Sequence, residues 1–284
     1  MDLEPEGIVP PDSDAATGED AVVREIEAML DDGRLEEALA AVDSALAEGR
    51  GNPADLTFLR GDACLGLGRA REAERHFRAV LDRDPDCPSS RCWLAMSLFL
   101  QWRFDEAEAA ARAARELPDA LADADVVLGC VLERRGDLDA AEGLFERAAS
   151  AAPDKYVLPV RLSRAEFDKE VRRAARKLPR QFRQSLDRVP VVVQDLPDEH
   201  LADGGDDEEL APDMLGLFDG VPLTETGEHD GPLRPNTIYL FQRNLERMAG
   251  DRDELVEQIR ITLWHELGHY LGFEEEDMDD LGLA

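Results

Sequence analysis

Near the C-terminal end, Leu255, Ile259, Leu263, Leu267 and Leu271 recur every four residues. On a 3.6-residue helix this spacing draws one apolar stripe and leaves the remaining faces polar, so it predicts a helix with one buried side. Asp251, with Glu254 three positions later, gives that helix a capping-box-like start, and Gly272 supplies a residue able to end it in the left-handed region. A second stripe, Phe167, Val171, Ala174 or Ala175, and Leu178, predicts a helix over 160–178 that Pro179 ends. Val191 to Gln194 and Thr237 to Phe241 are short β-rich runs, the latter bounded by Pro235-Asn236, and read as strands. Between them, residues 195–213 are Asp, Glu, Gly and Pro with little else, which is loop composition. Residues 1–18 carry almost no large apolar side chains, cannot offset their ordering entropy by burial, and are expected to form a disordered acidic tail.

From about residue 19 to 153 the pattern repeats. Gly61, Ala95 and Gly129 are 34 residues apart, as are Ala73, Ala107 and Ala141. Phe77 and Phe145, and Pro85 and Pro153, match two repeats apart, while Gly33, Gly68 and Gly136 mark turns between paired helices. Small residues are needed where helix backbones approach closely, and an aromatic wedge where they diverge. The pattern resembles the tetratricopeptide repeat (TPR) in four units, the first with one residue inserted near Glu48 to Asn52. That resemblance implies a helical array whose concave groove binds an extended segment or a protein partner. Trp93 and Trp102 in the third repeat read as core aromatics rather than contact residues.

Composition narrows the setting. The 284 residues hold 64 acidic against 32 basic side chains, a net charge of −32, which would repel phosphates and argues against nucleic acid. Only Lys155, Lys169 and Lys177 are lysines, so arginine supplies nearly all the positive charge. A GC-rich genome accounts for this in a chain kept soluble by carboxylates; adaptation to high salt is the sharper alternative. Cys64, Cys87, Cys92 and Cys130 form no C-x-x-C pair and read as free thiols of a reducing compartment. With no membrane-length apolar run and an acidic N-terminus unlike a secretory signal, the expectation is a cytoplasmic protein that does not engage membranes.

The C-terminal stripe carries chemistry beside it. His265-Glu266-Leu267-Gly268-His269 matches H-E-x-x-H. Two histidines four apart lie about 40° apart around a helix, so both imidazoles can reach one metal ion. Glu266 borders that face, where a carboxylate can take a proton from a water that zinc has acidified. A tetrahedral site needs a third protein ligand. Layouts that take it from a later helix need about twenty residues or more, and the chain ends fifteen after His269. A layout that turns at the glycine and takes its ligand three residues on points to Glu275. Glu274 and Glu276 would point elsewhere; Asp277 and Asp279 serve if the turn is wider, and His200 and His229 are more distant candidates in polar surroundings.

The last 120 or so residues resemble the small bacterial zincin-like metallopeptidases described as minimal and matrix-metalloprotease-like. The resemblance rests on His265 to Gly272 with acidic residues after it, Pro235 to Phe241, Gly216 to Leu223, and Leu178-Pro179 before Val191 to Val193. It implies a small zincin fold, one zinc ion and peptidase chemistry. Position 275 is not a third histidine, and the chain leaves no room for a methionine turn beneath the site. The expected whole is an α-helical TPR array (19–153) followed by a small α+β zincin-like domain (160–284), with Glu266 as general base and His265, His269 and Glu275 on zinc. Its substrates would be peptides or proteins. The rival reading is a non-catalytic TPR adaptor with a structural or degenerate zinc site.

Overall fold

A computed structural model describes residues 13–201, 210–224, 235–273 and 278. By its packing the chain divides inside a helix, into one compact unit over Met1–Val127 and another over Leu128–Ala284.

The first unit is built of helix pairs: α1 (Ser13–Asp31) and α2 (Leu35–Glu48), α3 (Pro53–Gly66) and α4 (Ala70–Leu81), α5 (Pro88–Leu100) and α6 (Phe104–Arg115), then the start of α7 (Ala122–Arg134). Helix α1 opens at Ser13, inside the stretch expected to be disordered; residues 1–12 lie outside the described residues. Asn52 caps α3, accepting the Ala54 N–H at 2.9 Å, and Pro53 occupies the first turn, where it forfeits no helical hydrogen bond. The reason for the repeated small residues is visible at Gly61, where a Cβ would lie 2.8 Å from the Phe77 ring. Ile26, Ala38, Val42, Ala45, Leu56 and Leu59 form the core between the first two pairs.

The turns inside the pairs repeat a left-handed residue. Gly33 has φ +73°, Gly68 +73° and Gly136 +78°, and the corresponding place in the third pair is held by Trp102 at φ +62°. The turn geometry is therefore common to all four pairs although its residue is not.

The second unit contains the rest of α7, α8 (Leu138–Ala151), α9 (Arg164–Lys177), α10 (Arg180–Leu186), β1 (Val191–Gln194), β2 (Gly216–Asp219), β3 (Thr237–Phe241), α11 (Gln242–Arg247) and α12 (Arg252–Leu271). Gly129 and Phe145 reproduce the Gly61–Phe77 contact, with a Cβ at 129 falling 2.7 Å from the ring. Ser163 and Glu166 close a reciprocal capping box on α9. Pro179 ends one helix and caps the next, α10.

The sheet order is β1-β3-β2. β1 runs parallel to β3, with Val191 opposite Ile238, and β2 runs antiparallel to it, with Gly216 opposite Leu240. One face packs on α12 and α9 through Phe167, Leu178, Ile238, Leu240, Ile259 and Leu263, all buried. Burying this apolar stripe is what fixes the roll of α12 about its axis.

An ionic cluster joins α7 and α8 to the rest of this unit. Glu133, its side chain 1% exposed, pairs with Arg161 at 2.8 Å and with Arg247. Arg161 also meets Glu142 at 2.6 Å and the buried Glu246 at 3.2 Å, and lies over the Phe145 ring. The guanidinium of Arg134 donates to the Pro197 carbonyl at 3.1 Å and the Pro212 carbonyl at 3.3 Å.

Candidate functional site

Helix α12 sets the site. Its cap Asp251 accepts the N–H groups of Asp253 (2.8 Å) and Glu254 (2.9 Å), while Glu254 reaches back to the N–H of Gly250 at 2.8 Å, one residue before the cap. Leu255, Ile259, Leu263 and Leu267 are fully buried. Holding that stripe in the core leaves His265 and His269 partly exposed on another face. Gly272 ends the helix at φ +86°, and the N–H of Phe273 closes back on the Gly268 carbonyl at 3.1 Å.

The imidazoles converge: Nε2 of His265 and Nε2 of His269 are 3.1 Å apart, with the rings at 83°. Two nitrogens each about 2.0–2.1 Å from one tetrahedral ion would be ~3.3 Å apart, so the pair fits a shared zinc. Among the described residues no group of three His, Cys, Asp or Glu is gathered. Glu275, Glu274, Glu276, Asp277, Asp279 and His229 lie outside the described residues. His200 is exposed on a short 3-10 turn, its N–H on the Asp198 carboxylate at 3.0 Å, and is not brought to the histidine pair.

Glu266 is 7% exposed. Its side chain lies against β2, where a Cβ on Gly216 would fall 2.9 Å from Cγ and 2.9 Å from Oε1. The segment after β2 runs on along the same helix: the Leu223 N–H donates to the Tyr270 carbonyl at 2.9 Å, and Thr224 lies against Gly272. Phe218 meets the Tyr270 ring at 5.8 Å between centroids. Trp264, beside His265 in sequence, is held by Phe182 and by Arg260, which lies over its ring at 5.5 Å.

Two features were missed in the sequence. β2 carried only one signal, a glycine at each end of Leu217-Phe218-Asp219, which marks close backbone approach or a turn. Met278, in the stretch expected to leave no room for a methionine turn, is fully buried, and its sulfur would be 2.6 Å from a Cβ on Gly268. Gly268, with no side chain of its own, leaves the Met278 side chain space.

No helix among the described residues is long and apolar enough to cross a membrane. A comparison with curated proteins finds no match. Among solved structures, a thermophilic TPR protein of Thermus thermophilus aligns at 18% identity and TM-score 0.43, over 49% of this chain and 76% of its own. YrrB, a TPR protein with an unusual peptide-binding site, aligns at 20% identity and TM-score 0.39, over 49% and 71%. The tetratricopeptide-repeat family model matches residues 58–121 and 103–156, and the zincin-like metallopeptidase model matches residues 186–283. The chain thus joins a tetratricopeptide-repeat array to a zincin-like metallopeptidase domain.

Proposed function

We propose that the protein is a zinc-dependent peptidase whose repeats bind the substrate protein or a partner. The observation that carries this reading is the 3.1 Å approach of the two Nε2 atoms on a helix whose Glu266, the residue after His265, is buried. Zinc, when bound, supplies positive charge that acidifies water and polarises a carbonyl. His265 and His269 would hold it, with Glu275 as third ligand; Phe273 and Met278, the described residues on either side of the acidic run, both lie against Gly268. Glu266 takes up a proton at its carboxylate and delivers it to the leaving amine nitrogen.

β2 is an edge strand of the described sheet, and it lies against Glu266. An extended peptide can pair with such an edge, which favours a peptide substrate over a small molecule. The charge of −32 favours basic partners over nucleic acid. All four cysteines are free, which fits a reducing, cytoplasmic setting.

Metal content by mass spectrometry and cleavage of a fluorogenic peptide library, with and without chelator, test the reading. The purified protein should carry about one zinc, and Glu266→Gln should keep the zinc while cleavage falls about a hundredfold or more. Equal cleavage by the parent and Glu266→Gln would remove Glu266 as general base, and zinc held with no cleavage by either would replace the peptidase with the adaptor.

A further inference from the structure

β2 and α12 meet at a point with no room for a side chain. A Cβ at position 216 would lie 2.7 Å from Thr262 Cγ2, 2.9 Å from Glu266 Cγ and 2.9 Å from Glu266 Oε1. Carbon atoms rest at about 3.5–4.0 Å. The bare backbone of Gly216 is therefore the wall against which the Glu266 side chain lies.

That wall is fixed on both sides of the contact. Asn244, itself buried, donates to the carbonyls of Pro212 (3.0 Å) and Met214 (2.6 Å), and the Phe241 N–H donates to Leu215 at 2.9 Å. Past the strand, Asn236 grips Val221 twice, accepting its N–H at 2.9 Å and donating to its carbonyl at 3.1 Å. Thr262 is β-branched inside a helix, where its χ1 is confined to two wells, whereas Glu266 has three rotatable side-chain bonds. Of the three groups in contact, Glu266 alone is flexible enough to yield.

We propose that Gly216 is a positioning residue for Glu266, the missing side chain defining where that carboxylate rests. The proposal rests on Glu266 being the general base. Gly216→Ala pushes the carboxylate away and leaves the histidines in place, so binding of zinc alone should stay within about twofold of the parent. On a fluorogenic peptide that the parent cleaves, kcat should fall about tenfold or more while KM changes by less than about threefold. The d–d bands of the cobalt(II)-loaded protein should change, because the carboxylate of the residue that follows His265 has moved.

The contact itself is tested without metal. Gly216→Ala should lower the urea midpoint in the parent and lower it clearly less in a Glu266→Ala background, where the crowded atoms are gone. Thr262→Ser, which removes the methyl on the other side of the contact, is the milder variant if Gly216→Ala does not fold. It should alter the cobalt spectrum at unchanged metal affinity. An equal urea shift in both backgrounds, or unaltered cobalt bands in both variants, overturns the positioning role. If Glu266→Gln abolishes cleavage while Gly216→Ala cleaves like the parent, the peptidase reading stands and the positioning role falls. If Glu266→Gln cleaves like the parent, the general base itself is misassigned.

Discussion

The glycines of the helical pairs work in two different ways, and substitution separates them. At Gly68 nothing lies within 4 Å of an added Cβ, yet φ is +73°, so alanine is strained by the backbone alone. At Gly61 the backbone is ordinary and the obstacle is the Phe77 ring at 2.8 Å. Gly68→Ala should therefore cost about 1 kcal/mol, and Gly61→Ala about 1–3 kcal/mol, as urea midpoints for the first unit. Trp102→Gly should cost less than about 1 kcal/mol, because relief at φ +62° offsets the lost edge contact with Phe104. The sequence shows Gly33, Gly68 and Gly136 as a series and conceals its third member. Tryptophan carries no left-handed signal, and only the 34-residue spacing betrays the place. At the site, His265 and His269 are legible because four residues along a helix fix their relation regardless of context. Gly216 is not, since nothing local says which helix its backbone will meet.

Among the elements, α9 and α12 are tied by one buried carboxylate. Glu170, 3% exposed, accepts from Arg252 at 2.6 Å and 2.9 Å and is approached by Arg173 at 3.4 Å. Burial alone would raise its pKa, but the hydrogen bond and charge of Arg252, with Arg173, outweigh burial and hold it below the usual carboxylate range. A folded pKa below the unfolded one means that the stabilisation is present above the unfolded value of about 4.3 and is lost as pH falls through the folded value. The acid limb of the urea midpoint against pH should thus be shallower in Glu170→Gln than in the parent between about pH 5 and pH 3. Elements with strong local pattern were readable: β1, β3 and the stripe of α12 agree with the periodicity. β2 and the six-residue α11 were not, because Gly216 to Asp219 lacks the β-branched run of β1 and a single turn and a half of helix has little local pattern; they are held by Leu240 opposite Gly216 and by Glu246 beneath Arg161.

Over the whole molecule, the repeat pattern and the packing divide the chain at different places. Repeat spacing runs to Pro153, whereas the packing break falls between Val127 and Leu128, inside α7. On the C-terminal side of that division lies the cluster at Glu133, whose partners Arg161 and Arg247 are far along the chain and leave no local mark. Arg161 faces three carboxylates, two of them almost wholly buried, so Arg161→Ala takes one guanidinium from Glu133, which keeps Arg247, and one from Glu246, which keeps Arg243, where water cannot replace it. It should cost the second unit about 3 kcal/mol or more, seen by calorimetry as a lowered transition for that unit with the transition of the first unchanged. At the end of the chain, Met278 gives the molecule a chemical clock. Its thioether is sealed against Gly268, while Met248 stands 58% exposed. Peroxide converts an exposed methionine to its sulfoxide directly but can reach a sealed one only during local opening. The ratio of the two oxidation rates is then the fraction of time that Met278 spends away from the helix of the two histidines.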